Sequence, residues 1–401
     1  MRTAVNFIFF IVFAFGKEIE ETLDAADTIS HYGYTVEKHY VTTDDGYTVQ
    51  LQRIPVGRDD RSILGCSKRP VVFFMHGLFG SSYHFLLNLP SQSAAYIFAD
   101  AGFDVWLGNI RGTEYGLNHT SFSTNGVNFW NFSLYEHSHY DLRQQIEYVL
   151  DYTRHESLFY VGHSQGTAVM FARLAEADVT WQSKIRVFFA LGPTAGFMKP
   201  LMPFTLLEEN YLQALIQFAL DGKFGILPVE IPRAIASKFA DFCSSKFFTF
   251  LCSAGFKVAA GIETLGQVND SRIPIILSHF PSATSTLNLL HWMQIFKYHE
   301  LRRLDLGTAR NLIAYGQKDA PRLEIGNIIA QTILYFSKDD QITDEVDVRE
   351  IIMKQMGPGL IESYDLDHFT HFDFILGLRA TDEVYKPIVY RIYKELKKKG
   401  C

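Results

Sequence analysis

Cysteine is scarce: the 401 residues hold four, too few for a scaffold built on disulfides. Excess positive charge is missing as well. Lys and Arg total 37 against 44 Asp and Glu, for a formal net charge of −7. That excludes a nucleic-acid partner, which requires a basic face. There are no internal repeats and no low-complexity segments. Neither a zinc-type His/Cys spacing nor a nucleotide-binding loop occurs, so no metal and no organic cofactor is expected. Beyond the N-terminus no apolar run approaches membrane-spanning length. Aromatic rings, by contrast, are plentiful at 14% of residues, with 34 Phe. So much ring surface suits a large core, an apolar ligand, or both. The length suits one large domain or two ordinary ones.

The N-terminus points to a compartment. Arg2 precedes a nearly unbroken apolar stretch from Ala4 to Phe15, and Ala14 and Gly16 are small residues suited to cleavage. Residues 1–16 are therefore expected to be a signal peptide, with no transmembrane anchor left after its removal. Three sequons agree with secretion and make Asn118, Asn131 and Asn269 candidate glycosylation sites. Cys243 and Cys252 are close in sequence, and a bridge closing so short a loop contributes roughly 2–3 kcal/mol. Cys66 and Cys401 are expected to be unpaired, or to pair only by chance of folding.

Pattern divides the chain. A hairpin is expected first, with alternating Val36–Thr42 and Tyr47–Ile54 around Asp45-Gly46. Short continuous apolar runs at Val71–Met75, Phe103–Leu107, Leu158–Val161 and Ile185–Leu191 read as buried strands. Between them, helical spacing appears at Ser93–Ala101, Tyr140–Tyr152 and Gly166–Ala177. Alternation of this kind gives a mostly parallel sheet with helices on both faces. It stops near Pro193 and resumes at Thr332–Phe336, followed by a helix from about Asp344 to Met356, a strand-like run near Leu360–Leu366 and a helix from about Asp382 to Lys399. The chain is expected to form one sheet domain in two parts, 17–194 and 319–401, with residues 195–318 inserted as a mainly helical cap.

Gly162-His163-Ser164-Gln165-Gly166 is the sharpest motif, a G-x-S-x-G pattern between an apolar strand and a helix. The turn that lifts such a serine above the sheet needs small residues on both flanks. A serine hydroxyl needs a base to take its proton, and a histidine base needs a carboxylate to orient it. Carboxylates follow the strand Thr332–Phe336 at Asp339 and Asp340, and imidazoles follow the next strand at His368 and His371. A developing oxyanion needs two backbone N–H donors. Gln165 follows the candidate nucleophile, and Leu78 lies in His76-Gly77-Leu78, just past Val71–Met75.

These segments resemble the acid lipases of the gastric and lysosomal type, a branch of the α/β-hydrolases. The resemblance runs from about Thr35 to near the C-terminus. It rests on His76-Gly77-Leu78 with Ser81-Ser82, Trp106-Leu107-Gly108-Asn109-Ile110-Arg111-Gly112, Phe129-Trp130-Asn131-Phe132-Ser133 leading to Tyr140-Asp141-Leu142, and the Ser164 motif. Further on it includes Leu277-Ser278-His279, Leu290-His291-Trp292 and His371-Phe372-Asp373-Phe374. The resemblance implies an α/β-hydrolase fold with a cap and lid. It implies Ser164 as nucleophile, Asp340 as acid and His371 as base, with Leu78 and Gln165 as oxyanion donors. It also implies a Cys243–Cys252 bridge. Two positions depart from the family pattern: Ser337-Lys338-Asp339-Asp340 before the acid, and Gly112-Thr113. The implied activity is that of a secreted or lysosomal serine lipase acting on triacylglycerol, sterol esters or both at a lipid–water interface. Two alternatives are a catalytically silent lipid carrier and an esterase for small soluble esters.

Overall fold

A computed structural model describes residues 18–59, 63, 66–198, 228–229 and 267–399. The expected signal peptide and the Cys243–Cys252 bridge lie outside the described residues. Among the described residues the central sheet has nine strands, eight of them on one continuous path: β1 (Glu37–Thr42), β2 (Tyr47–Ile54), β3 (Val71–Met75), β4 (Asp104–Leu107), β5 (Leu158–His163), β6 (Ile185–Leu191), β7 (Thr332–Phe336) and β8 (Leu360–Asp365); the ninth, Asn118–His119, pairs only with β2. Their spatial order is β1-β2-β4-β3-β5-β6-β7-β8. β2 runs antiparallel to each of its three partners, and every pair from β4 to β8 is parallel. This is the mostly parallel sheet expected from the alternating pattern and the α/β-hydrolase fold that the resemblance implies.

The parallel strands read as unbroken apolar runs because both faces of the sheet are buried. Side chains alternate between those faces. Val72, Phe74, Val161 and Phe189 join one cluster with Phe98 of α2 (Ala94–Asp100) and with Ile388 and Ile392 of α8 (Lys386–Lys399). Phe73, Met75, Tyr160 and Phe188 join the other. That second cluster includes Ile146 and Val149 of α3 (Arg143–Thr153) and Val169 and Phe171 of α4 (Gln165–Glu176).

Between β6 and β7 the described part of the chain holds the helices α5 (Ile273–His279), α6 (Thr286–Tyr298) and α7 (Thr308–Tyr315) and a short antiparallel pair of strands, Pro228–Val229 with Thr284–Ser285. Two expectations are corrected. The hairpin is not the first ordered element: α1 (Ala25–His31) precedes it, with the Asp24 side chain accepting from Asp27 N–H at its start. This helix is only seven residues long, and its buried face is too brief to show a period. Cys66, expected to be unpaired, is disulfide-bonded.

N-terminal residues are tied directly to the inserted helices. Arg272, at the start of α5, donates to both carboxylate oxygens of Glu20, with Nη1 2.7 Å from Oε2. Both side chains are buried. Burial alone would raise the Glu20 carboxyl, but the bonds and charge of Arg272 outweigh it and hold the group below the usual range.

Candidate active site

Each candidate residue stands just beyond the carboxyl end of a parallel strand, where ligands bind in open α/β sheets. Ser164 sits between β5 and α4 with φ 54° and ψ −120°, a sparsely populated conformation for a side-chain-bearing residue. The flanking glycines explain how the chain accommodates it. A Cβ on Gly166 would lie 2.3 Å from the carbonyl oxygen of Met75, and one on Gly162 would lie 2.9 Å from the backbone of Gly166. A Cβ on Gly77 would come within 3.0 Å of the Ser164 Cβ, so the loop after β3 presses directly on the serine.

The two neighbouring carboxylates separate cleanly. His371 Nδ1 donates to Asp340 Oδ2 at 2.8 Å, and both side chains are buried. Asp340 also accepts from the backbone N–H of Ile342 and Thr343 and from the Thr343 hydroxyl. Every one of these donors reinforces one orientation of the carboxylate. Asp339 points elsewhere and pairs at 3.1 Å with His368, whose side chain is 64% exposed. The Ser337 hydroxyl accepts from the N–H groups of Asp339 and Phe369, joining the loops after β7 and β8. Gly192, at the end of β6, leaves room for the pair: a Cβ there would sit 3.1 Å from the His371 ring and 3.4 Å from Asp340 Oδ2.

Sequence reasoning passed over His163. Its Nε2 donates to the backbone carbonyl of His371 at 2.9 Å. Its position beside Ser164 was visible, but this partner is not a sequence neighbour. Burial pushes His163 well below the usual imidazole range, with nearby His371 and His84 adding to the effect. The same desolvation lowers His76 to about 4 and His84 to about 3. These rings stay neutral in mild acid.

Ser164 opens into a cavity of about 260 Å³. Its walls are Leu78, Phe79, Phe197, Leu289, Trp292, Met293, Phe296 and Ile342, with Thr194 the other polar member. Leu289, Trp292, Met293 and Phe296 recur at helical spacing along α6. The apolar lining excludes a charged ligand from this space and suits a hydrocarbon chain. A second cavity, of about 370 Å³, is polar, is lined by Glu21, Asp24 and Glu114 among others, and contains none of the candidate residues.

Of the three sequon asparagines, Asn118 and Asn131 are exposed and Asn269 is partly exposed. Asn269 Oδ1 accepts from Ser271, and its Nδ2 donates to Gln92. At Gly112-Thr113 the backbone turns with φ 89° at Gly112, and the Thr113 hydroxyl donates to the carbonyl of Ile110. Among the described residues, no group of three or more His, Cys, Asp or Glu is arranged to hold a metal ion. No helix among them is long and apolar enough to cross a membrane.

The chain matches the model of the partial alpha/beta-hydrolase lipase region over residues 25–89 and that of the alpha/beta hydrolase fold over residues 70–378. It is 39% identical to Lipase lipl-3 of Caenorhabditis elegans, over 90% of this chain and 89% of that one. It is 34% identical to the gastric triacylglycerol lipase of Bos taurus, over 93% and 92%. A solved structure described as a putative lipase from Sulfolobus solfataricus superposes with TM-score 0.55 at 13% identity, over 90% of this chain and 99% of that one, a likeness of fold. The chain belongs to the α/β-hydrolase lipases. It is an ester hydrolase.

Proposed function

We propose that this protein is a serine lipase of the secretory pathway that cleaves water-insoluble acyl esters, triacylglycerol or sterol esters, through Ser164, His371 and Asp340. The observation that carries the reading is the buried His371–Asp340 bond of 2.8 Å beside an apolar cavity that contains Ser164. In the proposed reaction His371 Nε2 removes the proton as Ser164 Oγ attacks the ester carbonyl. The N–H groups of Leu78 and Gln165 hold the oxyanion, and Asp340 stabilises the imidazolium. His371 then returns the proton to the leaving alcohol. Water, deprotonated by the same imidazole, releases the fatty acid and restores the serine.

Residues 195–318 serve in this reading as a cap, and the cavity wall on α6 contacts the acyl chain. The names of the gastric triacylglycerol lipase relatives support the substrate class. A disulfide at Cys66 supports an oxidising compartment, extracellular or lysosomal. So do the exposed sequons at Asn118 and Asn131. The test uses a fluorophosphonate probe with emulsified triacylglycerol and sterol ester. The wild type should be labelled at Ser164 and should hydrolyse at least one emulsion, and Ser164→Ala should do neither while remaining folded. Labelling of the Ala variant, or a wild type inert toward both probe and esters, would reject the reading.

A further inference from the structure

We propose that Trp292 is a positioning residue for the oxyanion hole, acting through Gln165, an inference that rests on the reading of Gln165 N–H as an oxyanion donor. The Gln165 side chain is buried and bonded to α6. Its Oε1 accepts from Trp292 Nε1 at 2.6 Å and from Asn288 Nδ2 at 2.9 Å. The two donors are four residues apart on α6 and so share one helix face. Asn288 is itself fixed: its N–H donates to Ser285 Oγ, and its Nδ2 also donates to Thr284 Oγ1.

The same stretch reaches the other side of the hole. Ser282 N–H donates at 2.7 Å to the carbonyl of Phe79, the residue after Leu78. Phe79 has a φ of 59°, a left-handed conformation that a bulky residue holds only when its surroundings fix it. Thus residues 282–292 hold the chain on both sides of Ser164, at Phe79 and at Gln165. Hydrogen-bond donors aimed at developing charge are effective because they are fixed before the reaction begins. Gln165 lies at the first turn of α4, where the helix is least constrained by its own bonds. Two outside donors on its side chain supply the missing constraint.

Trp292 also lines the cavity beside Ser164. It therefore has two separable roles: its ring forms the wall, and its indole N–H holds Gln165. Trp292→Phe keeps most of the wall and removes the donor. It should lower kcat about tenfold, less than outright loss of an oxyanion donor, and leave KM unchanged. The loss should be equal for acetyl and decanoyl esters, because the oxyanion is common to both. A role confined to the wall predicts instead a loss that grows with chain length.

Gln165→Met removes the acceptor for both donors and should lower kcat at least as much. In the double variant, Trp292→Phe should cost nothing further, since residues acting through one bond are not additive. Full additivity, or an unchanged kcat in folded Trp292→Phe, overturns the proposal. If Trp292→Phe does not fold, Gln165→Met alone decides: a fall in kcat at constant KM supports the inference, and an unchanged kcat rejects it. Failure of the parent reading looks different, because Ser164→Ala would then remain active.

Discussion

His163, the residue before the proposed nucleophile, donates from Nε2 to the backbone carbonyl of His371 across 208 residues of sequence. The turn that presents the serine is thereby bonded to the loop that presents the proposed base. The rings of the two histidines also lie against each other, with centroids 4.9 Å apart.

Removing this link should loosen the base without removing it. His163→Phe keeps a ring in the buried space and deletes the donor. We expect kcat to fall on the order of tenfold to a hundredfold, as for small misplacements of reacting groups. Steady-state kinetics on a soluble short-chain ester, with circular dichroism as the folding control, measures this. A variant with wild-type kcat would show that the link is dispensable.

Asp340 and Asp339 offer a sharper contrast. Asp340→Asn leaves the loop bonds largely intact but supports the wrong imidazole tautomer, and should cost about 10⁴ in kcat by analogy with other triads. Asp339→Asn disturbs only the exposed contact with His368 and should change kcat little. Turnover numbers for the two purified variants decide between the adjacent carboxylates. The opposite ranking would move the role to Asp339.

Asp347 should make stability pH-dependent. Burial pushes its carboxyl up to about 6, and the charges of Asp344 and Asp340 add to the rise, while the Met198 N–H bonded to it favours the charged form. A raised folded-state pKa means that the charged form costs stability above that value. The penalty is complete at neutral pH. It diminishes as pH falls through 6 and is gone below the ordinary aspartate range, near 4. Its size is about 2–3 kcal/mol. Asp347→Asn, which still accepts from Met198, should raise Tm at pH 7.5 and have little effect at pH 4. Thermal melts across that window provide the check, and a Tm gain that does not depend on pH would count against the titration.

Glu20 and Arg272 should behave in the opposite sense. The folded-state pKa of Glu20 is depressed, so its contribution is present above the ordinary glutamate range and is lost as pH falls through the folded value. Glu20→Leu strands a buried guanidinium and should cost about 3–5 kcal/mol at neutral pH. Urea denaturation at pH 7 measures the loss. A change under about 1 kcal/mol would place this pair with weak surface bridges.

The fold was legible because the buried strands are written as continuous apolar runs. Val71–Met75 and Ile185–Leu191 appear with the bounds their composition marks. The helices beside them carry a clear period, although their starts differ: Arg143–Thr153 is preceded by a wider turn, His137–Leu142, that apolar spacing does not distinguish from an ordinary helix. Loop residues after strands fall on one edge of such a sheet, which singles out Ser164 and the pairs Asp339 with Asp340 and His368 with His371; the choice of Asp340 and His371 within those pairs rests on the resemblance. The bonds that organise them were not legible. The partners of His163 and Trp292 lie over a hundred residues away, and no local propensity encodes that contact. The disulfide at Cys66 was missed for the same reason, since sequence separation says little about which chain segments meet.

The candidate residues follow strands β3, β5, β7 and β8, which together with β6 lie side by side in the sheet although the chain visits them between residue 71 and residue 365. No early-folding fragment can therefore hold the site. Helices and the β1–β2 hairpin need only local encounters, whereas docking β7 on β6 brings together strands that residues 192–331 separate. Ester turnover during refolding should thus lag the return of helical signal, and its appearance marks completion of the sheet. On the proposed reading, this ordering keeps an incompletely folded copy from cleaving the lipids of the compartment in which it is made.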